Sequence, residues 1–212
     1  MALVDQVDRL VTAGVAEAAG ISAHQFRAQA AELPDVPDGI LAVHPALVPA
    51  SRLAPLLRHA GRAGFVVEDM TDVDAFAPID TVTVPDLPVY VVYSPVRGDE
   101  MRNWSPDEAL PAIHAAGRTP LTLAEGISWL LQEPAVLLAG SCFMTIGSRK
   151  QSGPGVDPRA PAIWISRGTG RDGPQRRNAP KVGWCWAANR HTWLGHASAS
   201  HRTPGGLPRK AP

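Results

Sequence analysis

The sequence is poor in cysteine, in aromatic residues and in long hydrophobic runs. Only two of its 212 residues are cysteines, Cys142 and Cys185, which is too few for a disulfide framework and fits a reducing compartment. No apolar stretch approaches the roughly 18–20 residues that cross a bilayer, and no positively charged segment precedes an apolar run near the N-terminus. We therefore expect a soluble, cytoplasmic protein without a membrane partner.

The familiar motifs that bind cofactors or metals are also missing. No G-x-x-x-x-G-K-[ST], G-x-S-x-G or H-E-x-x-H pattern occurs. The segment Gly168–Gly173 imitates a dinucleotide-binding fingerprint, but it lies in a basic loop and does not open an apolar helix. The sequence also has no C-x-x-C pair with which histidines could complete a zinc site. We predict neither a cofactor nor a metal.

Net charge is absent as well, but the charges are unevenly distributed. The 20 Lys+Arg and 20 Asp+Glu residues balance to +0, whereas residues 1–139 carry −10 and residues 140–212 carry +10. Such an asymmetry indicates either an anionic partner for the basic part or two parts that pack against each other with complementary charge. Because the whole chain is neutral, we favour packing and predict a single domain over residues 1–212.

Helical spacing and capping boxes predict the helices. Apolar residues recur at helical intervals over Leu3–Ala18, and a second helix starts at a capping box on Ser22. We therefore expect an N-terminal helical hairpin over residues 1–33. Two further capping boxes, at Ser105 and Thr122, start helices in the middle of the chain.

Short apolar runs interrupted by proline and glycine predict the strands. These runs cover residues 40–43, 64–68, 81–84, 89–93, 142–146, 162–166, 182–187 and 192–194. Helices and strands grouped in blocks indicate an α+β fold with a mixed or antiparallel sheet, and a mixed α/β arrangement is the alternative. We expect an α/β core over residues 34–201 and a disordered tail over residues 202–212.

Tryptophan is concentrated in the C-terminal third, at Trp164, Trp184, Trp186 and Trp193. Trp184 and Trp186 alternate with Cys185, so a strand would project both indoles from one face and the thiol from the other. An indole buries a large apolar area but needs a partner for its N–H group. The cluster therefore fits either a small core or the aromatic wall of a ligand site.

A series of short blocks runs through the C-terminal half. They are GRTPLT from Gly117, EGI from Glu125, GSR from Gly147, PAIWIS from Pro161, and finally PKVGWCWA from Pro180 with NRHTWLG from Asn189, which combine Trp, His and Gly at fixed offsets. In these blocks, and above all in the pattern GWCWA-x-N-x-HTWLG, the sequence resembles an uncharacterised family common in actinobacteria, over roughly residues 90–202. The resemblance implies a shared fold and no particular activity. The chain departs from it by a longer basic insert at residues 167–178, which either shapes the mouth of a site or forms a surface loop.

Three residues near these blocks are candidates for catalysis. Cys142 is a candidate nucleophile if a histidine lowers the pKa of its thiol, but between apolar neighbours a cysteine is more commonly a small buried side chain. Lys181 suits Schiff-base chemistry if burial favours its neutral amine, whereas a solvated or carboxylate-paired lysine is commoner. His191 lies in a turn between two predicted strands, where it acts as a general base or pins the turn through a backbone hydrogen bond.

The candidates converge on one predicted ligand site in the C-terminal part. Its predicted ligand-binding residues are Trp164, Trp184, Trp186, Trp193, Arg149, Asn189 and Ser166. We predict a cofactor-independent enzyme, of hydrolase, isomerase or cyclase type, that acts on a small aromatic or anionic metabolite. The alternative is a non-catalytic module that binds a small molecule or a nucleic acid. Because residues 1–139 are acidic, nucleic acid is the less favoured partner.

Overall fold

The computed structural model describes residues 1–203, which form an α+β fold in agreement with the sequence prediction. The helices are α1 (Leu3–Thr12), α2 (Val15–Ala19), α3 (Ala23–Ala30), α4 (Ala50–Leu53), α5 (Pro106–Ala115) and α6 (Leu123–Gln132). All three capping boxes form, since the side chains of Ser22, Ser105 and Thr122 accept a backbone N–H three residues on. None of the helices in this part of the chain has the length and apolar character needed to cross a membrane.

Eight strands of the described chain form its two larger sheets. In chain order they are β1 (Gly39–Val43), β2 (Phe65–Val66), β3 (Val89–Tyr93), β4 (Cys142–Met144), β5 (Arg159–Ile165), β6 (Pro180–Trp186), β7 (Leu194–His196) and β8 (His201–Arg202). One sheet is antiparallel with the order β1-β3-β8, and the other is mixed with the order β7-β4-β5-β6-β2. Two-residue ladders pair Arg58–His59 with Arg62–Ala63, Ala77–Pro78 with Ser148–Arg149, Thr119–Pro120 with Ser198–Ala199, and Gln151–Ser152 with Gly155–Val156.

Two predicted elements differ from the observed ones for local reasons. The helix predicted over Leu3–Ala18 is divided into α1 and α2, because Gly14 adopts a left-handed conformation with φ of 95°. The strand predicted over residues 81–84 does not form, and the Val82 N–H donates instead to the Ile79 carbonyl in a turn. The sheets are therefore built by fewer runs than the sequence contains.

Helix α6 is buried along its whole length and packs against the five-stranded sheet. Its Gly126 makes the approach close, because a Cβ atom there would lie 2.6 Å from Cγ2 of Thr145 and 3.3 Å from Cε2 of Phe143. We call the sheet face that carries Phe143, Ile163 and Val182 the inner face, and these residues join α6 in the main hydrophobic core. The opposite, outer face packs against α5 through a second apolar cluster that includes Met144 and Ala162.

Side chains from two helices form hydrogen bonds with the backbone groups on the unpaired edge of β1. The Leu41 N–H donates to Oε1 of Gln6 at 2.6 Å and to Oε1 of Gln132 at 3.2 Å, and the Leu41 carbonyl accepts from Nε2 of Gln132 at 2.7 Å. The Val43 N–H donates to the Ser128 hydroxyl at 3.1 Å. The strand is thereby anchored to α1 and α6 without a neighbouring strand on that side.

A buried ion pair joins the end of the described chain to α6. Glu125 is fully buried and accepts from Arg202 at 2.5 and 2.7 Å and from the Tyr90 hydroxyl at 3.0 Å. Arg202 also donates to Thr119 and to the Pro120 carbonyl. The first two residues of the predicted 202–212 tail are therefore part of the fold, and residues 204–212 lie outside the described residues.

Ion pairs connect the acidic and basic parts of the chain. Asp72 binds both Lys150 and Arg159 at 2.6 Å, and Arg159 also binds Asp157 at 2.6 Å. Further pairs across the two parts are Asp69–Arg171, Glu68–Arg176, Glu108–Arg190, Asp107–Arg149 and Glu125–Arg202. Much of the positive charge of the C-terminal part is thus neutralised within the molecule.

Candidate functional site

A row of paired residues crosses the outer face of the five-stranded sheet. Leu194 pairs with Cys142, Cys142 pairs with Trp164, and Trp164 pairs with Lys181. Directly paired residues project from the same face of a sheet. The register therefore brings a thiol, an indole and an ammonium group side by side, although they are far apart in sequence.

Two loops build walls above this row and enclose a cavity of about 350 Å³. The insert between β5 and β6 contributes Arg167, Thr169 and Asp172, and the loop before β7 contributes His191 and Trp193. Small-molecule sites commonly measure about 300–1,000 Å³ and combine apolar walls with a few polar groups. The cavity has this size and this mixture of groups, so we treat it as the candidate site and call it the sheet cavity.

The structure brings five of the predicted site residues to the sheet cavity. They are Cys142, Trp164, Lys181, His191 and Trp193. Trp184 also borders the cavity, but its indole Nε1 donates to Asp69 at 3.3 Å and its ring packs edge to face against Trp186. Strand alternation explains the difference, since Cys185 reaches the cavity while Trp184 and Trp186 project from the other face of β6.

The remaining predicted ligand-binding residues lie outside the cavity lining. Arg149 donates to the Asp157 carbonyl at 3.0 Å and lies 3.7 Å from Asp107. Asn189 is exposed in the turn after β6, and Trp186 is half-exposed beside it. Ser166 is buried behind the cavity, where it holds a lining residue described below. These four residues do not contact a ligand that is confined to the cavity.

Cys142 presents a protonated thiol. Burial raises the pKa of Cys142 far above its ordinary value, and the nearby Arg97 offsets this only in part. Burial also raises the pKa of Cys185. A nucleophilic cysteine needs a lowered pKa, which a neighbouring cation, a metal or a helix N-terminus supplies. The environment of Cys142 therefore favours a small apolar wall residue over a nucleophile.

Lys181 is held by a buried carboxylate. Its ammonium group donates to Asp172 at 2.8 Å and lies 4.8 Å from the centre of the Trp164 ring. Burial alone would raise the pKa of Asp172, but the hydrogen bonds from Lys181 and from Ser166, at 2.7 Å, outweigh burial and lower it. The ammonium group would have to leave Asp172 before its nitrogen could form a Schiff base.

His191 stacks on Trp193 at the cavity wall. The ring centroids are 4.5 Å apart and the planes meet at 15°. The backbone carbonyl of His191 accepts from the N–H groups of Asn103 and Leu194, which fixes the loop. Within residues 1–203 the imidazole nitrogens make no hydrogen bond to another protein group, so both remain available to a bound molecule.

A larger groove of about 690 Å³ lies elsewhere, between α1 and the end of α6. It contains no aromatic, histidine or cysteine side chain, and two of its charged groups already have partners: Asp8 binds Arg27, and Arg9 donates to the Gln132 carbonyl. No group of three or more His, Cys, Asp or Glu side chains in the described chain is placed to hold a metal ion. The sheet cavity is therefore the better candidate.

The insert supplies the cavity residues that sequence reasoning missed. Arg167, Thr169 and Asp172 lie in the segment by which the chain departs from the family pattern. The longer insert was the feature of the sequence that could have revealed them, because a segment between two paired strands lies at one end of the sheet, where it can border a cavity. The guanidinium of Arg176 lies 4.4 Å from the Phe65 ring centre and fastens the insert to β2, while Arg171 pairs with Asp69 at the surface, where its side chain is 77% exposed and the pair adds little stability.

Fold and site together define an α+β protein with a ligand-sized cavity on the outer face of a mixed sheet. The chain belongs to a family of unknown function, DUF5701, whose model matches residues 9–205. The match is to an uncharacterised family, as the sequence resemblance implies, and it also covers most of the N-terminal helices. Neither the curated proteins nor the solved structures contain a match to the chain.

Proposed function

We propose that the chain binds a small aromatic or anionic metabolite in the sheet cavity. The observation that carries this proposal is the convergence of Trp164, Lys181, His191 and Trp193 from separate strands and loops on one cavity of about 350 Å³. Aromatic faces supply apolar contact area for a planar ligand, and the guanidinium of Arg167 at the cavity orients its charge. A cavity of this size suits a single small molecule.

We further propose that His191 performs acid–base catalysis on the bound molecule without a cofactor. Burial raises the pKa of the Cys142 thiol, and the Lys181 ammonium is bound to Asp172, whereas the His191 ring makes no hydrogen bond to another group of residues 1–203. One imidazole can take a proton from a ligand and return it at another position, which suffices for isomerisation or cyclisation. Hydrolysis would need only water in addition.

A non-catalytic binding module is the second candidate. Catalytic histidines are commonly oriented by a carboxylate or a backbone carbonyl. No such hydrogen bond to the His191 ring exists among residues 1–203, and stacking on Trp193 alone holds it. This arrangement would serve a ligand-binding wall equally well. We keep two finer expectations as part of the proposal, namely a cytoplasmic location and an actinobacterial family marked by the GWCWA-x-N-x-HTWLG block.

A ligand screen followed by a histidine comparison tests the proposal. Small aromatic acids and their neutral analogues are screened by quenching of intrinsic tryptophan fluorescence, and each binder is incubated with the protein and examined for conversion by mass spectrometry. If His191 is catalytic, His191→Ala lowers turnover by about 10²–10⁴-fold without lowering the melting temperature.

The chain offers a matched control. His201 stacks on Tyr93 with ring centroids 4.1 Å apart, in the other sheet, so His201→Ala removes a stacked imidazole without touching the cavity. Turnover should be unchanged in this variant. Binding without conversion in the wild-type protein would assign the binding module, and absence of binding across the screen would contradict both candidates.

A further inference from the structure

The charges around the sheet cavity are only partly compensated. Lys181 and Asp172 form an ion pair in which both side chains are largely buried, with 16% and 10% of their surface exposed. Ser166 donates a second hydrogen bond to the same carboxylate oxygen, Oδ2 of Asp172. The pair therefore contributes no net charge to the site, and a ligand that displaced Asp172 would have to break two hydrogen bonds.

Arg167 carries the uncompensated charge. It is exposed at the start of the insert and borders the cavity, and its guanidinium forms no ion pair or hydrogen bond with any other residue of the described chain. Two other arginines of the insert are paired, Arg171 with Asp69 and Arg176 with Glu68. Arg177 has no ion pair, but it lies outside the cavity lining, and its Nε donates to the Arg167 carbonyl at 3.4 Å. One fixed positive charge is thus available at the rim.

Two tryptophans form the aromatic surface of the cavity. The Trp164 indole lies across Gly183, where a Cβ atom would be 2.7 Å from Cη2 of the ring, so the strand is shaped to let the indole lie close to the sheet. The Lys181 ammonium covers the ring from one side. On the opposite wall, Trp193 is 49% exposed and stacks on His191.

From these observations we infer that the ligand is an aromatic monoanion, with a carboxylate held by Arg167 at the rim and a ring packed against Trp164, and that Arg167 determines this specificity. The inference rests on the proposed function of the cavity. A guanidinium matches a carboxylate in bidentate geometry. A dianionic phosphate would add a second negative charge beside Asp172, and the cavity lining holds no second unpaired Lys or Arg to receive it.

The test compares three small aromatic probes that differ in charge. Indole-3-carboxylate, its neutral amide indole-3-carboxamide, and phenyl phosphate are titrated into the wild-type protein, and binding is measured by calorimetry and by tryptophan fluorescence. Because a charge-assisted hydrogen bond is typically worth about 1.5–3 kcal/mol, we expect the carboxylate to bind at least about tenfold more tightly than the amide. It should also bind more tightly than the phosphate, and its advantage over the amide should shrink as salt is added.

Two arginine variants separate local recognition from overall charge. Arg167→Gln should weaken carboxylate binding about tenfold and bring it close to that of the amide, while amide binding stays constant. Arg171→Gln removes an equal charge from the same insert outside the cavity lining, and it should leave carboxylate binding within about twofold. Trp164→Leu should weaken both indole probes, which assigns them to the sheet cavity.

Each contrary result has a distinct meaning. If the wild-type protein and Arg167→Gln both bind the carboxylate and the amide with equal affinity, the inference is overturned. The cavity would then still be one that binds aromatic molecules. Equal losses in Arg167→Gln and Arg171→Gln would replace a specific contact by a general effect of charge and would also overturn it. If no indole probe binds at all, the proposed function fails together with the inference.

Discussion

The buried Arg202–Glu125 pair makes the strongest prediction about stability. In Arg202→Met the Glu125 carboxylate keeps only the Tyr90 hydroxyl and the Thr122 N–H as hydrogen-bond donors. The side chains of Arg202 and Glu125 are 5% and 0% exposed, so water cannot replace the lost guanidinium. Breaking a buried pair by removing one partner typically costs about 3–5 kcal/mol, and we expect a loss of this size in the free energy of unfolding.

Urea denaturation of matched variants measures this loss. Arg27→Met is the control, because Arg27 and Asp8 form a pair whose side chains are 49% and 53% exposed, and exposed pairs contribute only about 0–1 kcal/mol. A double variant, Arg202→Met with Glu125→Gln, should recover part of the stability, because the remaining amide carries no charge.

A small loss of stability in Arg202→Met would contradict this prediction. If Arg202→Met lowers the free energy of unfolding by less than about 1 kcal/mol, the carboxylate has found water or another partner, and the pair is not isolated from solvent as described. An additive double variant would likewise show that the two side chains do not interact.

Two further predictions concern packing and acid sensitivity. Gly126→Ala gains about 1 kcal/mol of helix propensity but forces a methyl group against Thr145, and such overpacking costs about 1–3 kcal/mol. We therefore expect a lower melting temperature in a thermal scan. A higher melting temperature would contradict the close packing of α6. Hydrogen bonds from Arg159 and Lys150 lower the pKa of Asp72, so its stabilising effect is present above the ordinary value of 3.8 and is lost as pH falls through the lowered pKa. Urea midpoints measured from pH 6 down to pH 2 should therefore fall more steeply in the wild-type protein than in Asp72→Asn.

Local signals in the sequence predict the local structure well. The capping boxes at Ser22, Ser105 and Thr122 form because both partners lie within one helical turn. The alternation that separates Cys185 from Trp184 and Trp186 follows from strand geometry alone. The interruption of the first helix at Gly14 was missed, since an isolated glycine is tolerated within a helical pattern but also adopts the left-handed conformation found here.

The candidate site depends on register, which sequence spacing does not encode. Cys142, Trp164 and Lys181 meet because three strands align these positions in one row. Arg149 was placed in the site on chemical grounds, but it follows β4 by several residues and pairs with other segments. The partner of Lys181 is Asp172, which lies in an irregular insert with no period to reveal it.

The edge of β1 has a consequence for association between chains. An exposed strand edge is a template on which a second chain can add its own strand, and this is a common route to aggregation. Here the amides of Gln6 and Gln132 and the Ser128 hydroxyl occupy hydrogen-bonding positions that an added strand would use. An incoming strand would have to displace buried side chains that belong to two helices of the core. Polar residues of α1 and α6 thus protect this edge of the sheet against addition of a strand from a second copy.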